Sequence, residues 1–155
     1  MGGEGTPMTT HAETRLLPYT AAQMYDLVAD VARYPEFLPW TAAARVRSVE
    51  DRGEFKEMLA DLVISFKLFR ESFGSRVRLW ERERIETSYL TGPFKRMDST
   101  WRFRDAPGGC EVSFETDFEF RNRLLQAAAG VFFHEAMRQV VRAFERRAAA
   151  LYGAR

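Results

Sequence analysis

The stretch Asn122–Tyr152, NRLLQAAAGVFFHEAMRQVVRAFERRAAALY, decides the fold. Its apolar residues recur three and four apart, at Leu124, Ala128, Phe132, Ala136, Val140, Phe144, Ala148 and Leu151. That spacing lines one face of an α-helix. Arg123, Arg138, Arg142 and Arg146 fall largely on the other side. Ala, Leu, Arg, Gln and Glu dominate, all good helix formers, and Gly153 is placed to stop the helix. At ~1.5 Å per residue the helix is roughly 40–45 Å long. It cannot bury its apolar stripe alone, so the rest of the chain must supply a surface.

The residues before the helix change period from helical to strand-like. Cys110–Phe120 alternates, with Val112, Phe114, Thr116, Phe118 and Phe120 on one face and Glu111, Ser113, Glu115, Asp117 and Glu119 on the other. One buried and one wet face mark an antiparallel sheet. Pro107-Gly108-Gly109 ahead of it is a turn. Strand patterns recur at Met97–Arg104, Arg84–Thr91, Phe69–Trp80, Phe55–Val63 and from Ala42 onward, with a turn at Asp51-Arg52-Gly53. At the start, Thr9–Tyr19 reads as a strand. Thr20 and Gln23 form a capping box opening a short helix over AAQMYDLVAD. RYPEFLPW, Arg33–Trp40, follows; Pro35 and Pro39 prevent one regular helix there. The order is strand, short helices, about six strands at hairpin spacing, long helix. This predicts an α+β domain over residues 9–152, a curved, mainly antiparallel sheet wrapped around the C-terminal helix, behind a flexible leader over 1–8.

Composition narrows the function. A net charge of +1 gives no whole-chain electrostatic reason to bind nucleic acid, and no DNA partner is expected. The single cysteine, Cys110, permits no internal disulfide and fits a reducing, cytoplasmic compartment. No run of about 18 apolar residues occurs. The leader MGGEGTPM lacks the regions of a secretory signal. It matches the short, degenerate myristoylation pattern at Gly2 and Thr6, but a flexible leader, with Met8 as an alternative start, is the better reading.

Thirteen Phe residues are more than turns and helix faces need. One helix touches a curved sheet along a line, so the remaining space takes large side chains, helix ends or a ligand. An apolar cavity is the expectation. Gly130, inside Ala127-Ala128-Ala129-Gly130, costs the helix about 1 kcal/mol relative to Ala. Either the helix packs close to the sheet there or room is left for a ligand, and close packing is the default.

Four features together resemble the START-like family containing the coenzyme Q-binding proteins and the bacterial ribosome-association toxin or polyketide cyclase/dehydrase-like proteins. They are Tyr34-Pro35-x-Phe37-Leu38-Pro39-Trp40; Phe73 and Arg76-Val77 after VISFKLF; Gly92-Pro93-Phe94-Lys95 before Trp101-Arg102-Phe103; and the Val112–Phe120 strand running into the final helix. They span about residues 9–152. The resemblance implies the helix-grip fold and an apolar cavity for a lipid or isoprenoid quinone. The residues expected at the ligand are Tyr34, Pro35, Phe37, Leu38, Trp40, Phe66, Phe69, Phe73, Phe94, Trp101, Phe103, Phe114, Phe118, Ala129, Phe132, Phe133 and Met137. The Tyr34–Trp40 segment reads equally as a lid or as a staple closing one end of the core.

No HxxxH, CxxC or Gly-x-Ser-x-Gly pattern exists, and His11, His134 and Cys110 are scattered. No catalytic residue, metal ligand or catalytic cofactor is assigned. The first reading is a non-enzymatic carrier of a hydrophobic ligand, a polyprenyl quinone (coenzyme Q), supporting respiratory electron transport. A long isoprenoid resides in a bilayer, so loading requires membrane contact, expected at Phe94, Lys95 and Arg96 or at Phe66-Lys67-Leu68-Phe69, with Trp40 near the same cavity. The location is then peripheral, at the inner face of a respiratory membrane. The second reading is a ribosome binder blocking subunit association, using Arg123, Arg138, Arg142, Arg146 and Arg147. Glu135 and Glu145 dilute that surface, and a solvated helix face is the simpler account of it. The third is a polyketide cyclase-like enzyme, for which only Tyr89, Arg102 and Glu57 offer polar groups.

Overall fold

A computed structural model describes residues 9–66 and 69–153, without the side chains of Phe66, Phe69, Leu125, Ala128 and Ala129. Gly2, Thr6, Met8, Lys67 and Leu68 lie outside the described residues. Seven strands, β1 (Thr9–Leu17), β2 (Thr41–Asp51), β3 (Lys56–Phe66), β4 (Phe69–Trp80), β5 (Arg84–Thr91), β6 (Phe94–Ala106) and β7 (Gly109–Phe120), form one antiparallel sheet in the order β1-β7-β6-β5-β4-β3-β2. Helix α1 (Ala21–Ala29) and a 3₁₀ turn (Val31–Glu36) join β1 to β2, and α2 (Arg123–Tyr152) follows β7. This is the expected helix-grip arrangement.

Local chemistry sets the boundaries. The Gln23 amide donates to Thr20 Oγ1 at 3.0 Å and the Thr20 amide to Gln23 Oε1 at 2.9 Å, the predicted capping box. The Gly53 amide donates to Asp51 Oδ1 at 2.8 Å, closing the β2–β3 turn. Gly109 leaves no room for a side chain: a Cβ there would lie 1.8 Å from the Leu17 carbonyl oxygen, where β1 meets β7. Strand β6 runs three residues beyond the predicted start, because Phe94 pairs with Phe120 across β7.

One contiguous core holds Met24, Val28, Met58, Val77, Ile85, Trp101, Phe103, Phe114, Val141, Phe144 and Ala148. It lies under α1 and the second half of α2. Buried Phe73, Phe118 and Phe133 are not members of it. They lie at the other end of the sheet, beside the β5–β6 turn and the start of α2.

The apolar stripe of α2 departs from the expectation. A strict i, i+4 row drifts about 40° per step around a helix of 3.6 residues per turn. Five steps from Phe144 back to Leu124 therefore carry the row to the opposite side. Gln126, Phe133, Met137, Phe144 and Ala148 share the inward face instead. Leu124 is 81% exposed and Phe132 67%, so Phe132 faces away from the sheet, contrary to its expected place at the ligand. Gly130 also departs: a Cβ there meets nothing within 4 Å, so the glycine does not serve close helix–sheet packing.

Candidate functional site

The predicted site residues divide between two aromatic clusters. In the first, Trp101 lies 4.4 Å from Phe114 and 5.1 Å from Phe144, ring centre to ring centre, and stacks beside Phe103. Tyr34 and Phe37 meet Phe144 edge-on at 5.4 and 5.2 Å. The Tyr34 hydroxyl donates to the Val28 carbonyl, and burial pushes its pKa up. Arg147 lies over the Phe37 ring and pairs with Glu36 at 2.6 Å. Tyr34 and Phe37 thus staple the 3₁₀ turn to α2, and Leu38 packs partly buried against the same core. Arg147 turns to this staple and away from the Arg138–Arg142–Arg146 row. Pro35 sits inside the 3₁₀ turn. Trp40, at φ 61°, begins the turn into β2, and its carbonyl accepts from the Ser65 amide at 2.8 Å. That bond places Trp40 at the end of β3, towards the second cluster.

The second cluster joins Phe73, Tyr89, Phe94, Phe118, Phe120 and Phe133. Phe94 is its hub: it meets Phe73 at 5.6 Å, Tyr89 at 5.4 Å and Phe118 at 6.1 Å, and stacks on Phe120 at 4.8 Å. Phe118 contacts Phe133 of α2 at 4.1 Å. The β5–β6 turn is pressed onto this cluster at Gly92, where a Cβ would fall 2.6 Å from the Phe73 Cβ and φ is +135°. Phe94 therefore packs its ring among aromatics, and the neighbouring cations Lys95 and Arg96 are exposed. The side chains of Phe66, Phe69 and Ala129 lie outside the described residues.

Around this cluster the start of α2 is tied to β7 and β1, and the residue after β7 to the β5–β6 turn. Buried Gln126 accepts from the Phe120 amide at 2.7 Å and donates to Thr9 Oγ1 at 3.1 Å. The Arg121 amide donates to the Pro93 carbonyl at 3.2 Å. The outer side of these helix turns carries Leu124, Val131 and Phe132, all exposed, with Arg121, Arg123, Lys95 and Arg96 exposed nearby. Lys95 reaches Glu119 at 3.8 Å. Acidic Glu135 appears only at the next turn, paired with Arg138 at 3.4 Å.

A further contact was not legible in the sequence. His11 of β1 and His134 of α2, 123 residues apart, bring their Nδ1 atoms within 3.0 Å. His11 Nε2 lies 2.7 Å from Glu13 Oε1. With Glu13 accepting from Nε2–H, His11 Nδ1 accepts and His134 Nδ1–H donates. This relay ties the edge strand to the middle of α2. Only the completed β1–β7 pairing brings the two rings together, so no local pattern announces it.

The three polar candidates do not converge. Glu57 lies on the outer sheet face with Arg52, Arg76 and Arg78, at 3.0, 3.5 and 3.5 Å; the Arg52 hydrogen bond lowers its carboxyl pKa. Arg102 lines a shallow outer cleft of about 510 Å³ with Thr14, Thr100 and Glu115. Tyr89 alone faces inward, registered with buried Ser75. Among the described residues no cluster of three or more His, Cys, Asp or Glu could hold a metal, and no helix is long and apolar enough to cross a membrane.

The family model "Polyketide cyclase / dehydrase and lipid transport" matches residues 17–145. The chain belongs to this family. It is 35% identical over 145 residues to the ribosome association toxin RatA of Rickettsia prowazekii, covering 91% of this chain and 97% of that protein. It is 31% identical over 154 residues to the mitochondrial coenzyme Q-binding protein COQ10 homolog B of Xenopus laevis, covering 96% of this chain but 62% of that one. The solution structure of the 18 kDa protein CC1736 from Caulobacter crescentus superposes with a TM-score of 0.79 at 36% identity, over 94% of this chain and 99% of that one. The Zhui aromatase/cyclase from Streptomyces sp. R1128 shares the fold, at a TM-score of 0.79 and 17% identity over 92% and 94% of the chains. Neither RatA nor the COQ10 homolog is named as an enzyme.

Proposed function

We propose that this family member is a non-catalytic carrier of a hydrophobic ligand, a polyprenyl quinone, held against the inner sheet face under the first half of α2. One observation carries the reading: the buried aromatics Phe73, Phe118 and Phe133 form a group apart from the packed core, beneath helix turns whose outer side is apolar. A wall of aromatic rings suits a flat ring with a hydrocarbon tail. Each buried methylene of the tail is worth about 0.8 kcal/mol against water, so the free ligand stays in a bilayer. Loading then occurs at a membrane, where Leu124, Val131 and Phe132 supply apolar anchors and Lys95, Arg96, Arg121 and Arg123 meet anionic headgroups. This assigns the predicted membrane contact of Lys95 and Arg96 an apolar partner on α2. The protein then works peripherally on the inner face of a respiratory membrane. Native mass spectrometry after mild extraction should show a co-purifying quinone. Repeated failure of both co-purified and added quinone to bind rejects the reading.

A second reading, binding to a ribosomal subunit, draws on the RatA relatives and on exposed Arg138, Arg142 and Arg146 along the second half of α2. Salt-sensitive co-sedimentation with large ribosomal subunits, lost on reversing the charge of Arg142 and Arg146, supports it. Salt-independent or absent sedimentation rejects it.

A further inference from the structure

Among the described residues, one polar atom inside the grip stands apart. Tyr89 Oη is buried and has no hydrogen-bond partner. Two buried hydroxyls of the same sheet face are already engaged. Ser75, its register partner, donates to the Ala60 carbonyl at 3.3 Å. Buried Thr116 donates to the Asp98 carbonyl at 3.2 Å. The Tyr89 ring is held edge-on against Phe94 at 5.4 Å, and Phe94 links it to Phe73, Phe118 and Phe120. A phenol hydroxyl can rotate to meet an acceptor but cannot leave the wall that holds its ring. A buried hydroxyl left without a partner costs about 1–3 kcal/mol, and nine in ten or more buried polar groups avoid that cost. The chemistry missing here is a hydrogen-bond acceptor set in aromatic surroundings.

We infer that the Tyr89 hydroxyl is the head-group anchor of the ligand site, donating to a carbonyl oxygen of a flat, otherwise apolar ring. The inference rests on the carrier reading and adds to it the contact that selects the head group: a ring carbonyl is favoured over a plain hydrocarbon or a fatty acyl chain lacking an oxygen at that depth. Phe94 and Phe73 flank the ring, and the tail follows the Phe118–Phe133 side beneath α2. Discrimination arises because a ligand without an oxygen leaves the hydroxyl as it stands, whereas a quinone completes it.

The test uses the full chain and Tyr89→Phe, which keeps the ring and removes one oxygen. The probes are a benzoquinone with a two-isoprene tail and a hydrocarbon of matched size lacking oxygen, with affinity read by tryptophan quenching or calorimetry. The parent should prefer the quinone, Tyr89→Phe should bind it about five- to tenfold more weakly, and the hydrocarbon should bind both proteins alike. The quinone carbonyl stretch should shift to lower frequency in the parent and not in the variant. Unliganded Tyr89→Phe should melt no lower than the parent, since no bond within the protein is lost. Equal quinone affinity in parent and variant overturns the anchor and leaves the carrier reading standing. A lower melting temperature with unchanged carbonyl frequency assigns the hydroxyl a structural role and overturns it too. If the parent binds neither probe, the carrier reading fails and the anchor with it.

Discussion

The two halves of α2 are made of similar residues and do opposite things. In the second half, Val141, Phe144 and Ala148 are at most 3% exposed. Phe144 interlocks with Trp101, Tyr34 and Phe37, while Arg138, Arg142 and Arg146 face water. In the first half, Gln126 and Phe133 face the sheet and Leu124, Val131 and Phe132 face out. An apolar side chain on the solvent side gains nothing for folding, so its value lies in what it can later cover. On the proposed function, the helix is a strut at one end and an interface at the other. Stability and ligand traffic can then change independently, because the residues serving each are different.

The largest effect should separate the halves directly. Phe144→Ala removes the ring shared by three aromatic partners and should cost about 3–5 kcal/mol, with a clear fall in melting temperature. Phe133→Ala lies outside the main core and should cost visibly less, while abolishing ligand binding. Equal thermal losses in the two variants would break the distinction. Next, the double change Leu124→Ser and Phe132→Ser should weaken association with anionic vesicles by about tenfold or more, since a buried Leu or Phe is worth about 1.5–3 kcal/mol. Its stability should stay within about 0.5 kcal/mol of the parent, as for ordinary surface substitutions. A loss of fold stability instead of vesicle binding would return these residues to the core.

The smallest effect probes the sealed end chemically. Cys110, 1% exposed, has its thiol pushed up to about 11, first by burial and then by Asp105. The folded chain keeps this proton where the unfolded chain loses it. Stability should therefore fall as pH rises from the ordinary thiol range towards about 11. At pH 8 the native thiol should resist a disulfide reagent and react in denaturant. Rapid reaction in the native state would show that this end opens as readily as the other.

Most strands were legible because parity is local. Val112, Phe114 and Phe118 repeat every second residue whatever the sheet does next, and β4 and β5 fall where alternation put them. The stripe of α2 was legible in kind and misplaced in rotation. Phe132 and Phe133 are adjacent, and only a mixed three-and-four count from Phe144 selects the second. The site was legible as a supply of aromatics at Phe73, Phe94 and Phe118. Its division from Trp101, Phe103 and Phe114 was not: parity does not say how far along the helix each ring falls, and Phe94 joins the inner face only through the register shift between Phe94 and Arg96. Tyr89 could be named as a polar residue, yet its solitude depends on what Ser75 and Thr116 have already bonded.

The placement of β1 carries a consequence for how the molecule comes into being. The first strand made pairs only with the last, and its carbonyl at Leu17 waits for Gly109. A nascent chain leaving the ribosome can zip β2 through β6 as successive hairpins while β1 has no neighbour to join. Closing that pair demands a long loop, the kind of contact that slows folding. Until β7 and α2 emerge, the aromatics of the interior have no helix over them, so the unfinished chain is at its most adhesive just before completion. The His11–His134 relay and the Gln126 bond to Thr9 form only after that closure, which makes them markers of the final step of assembly.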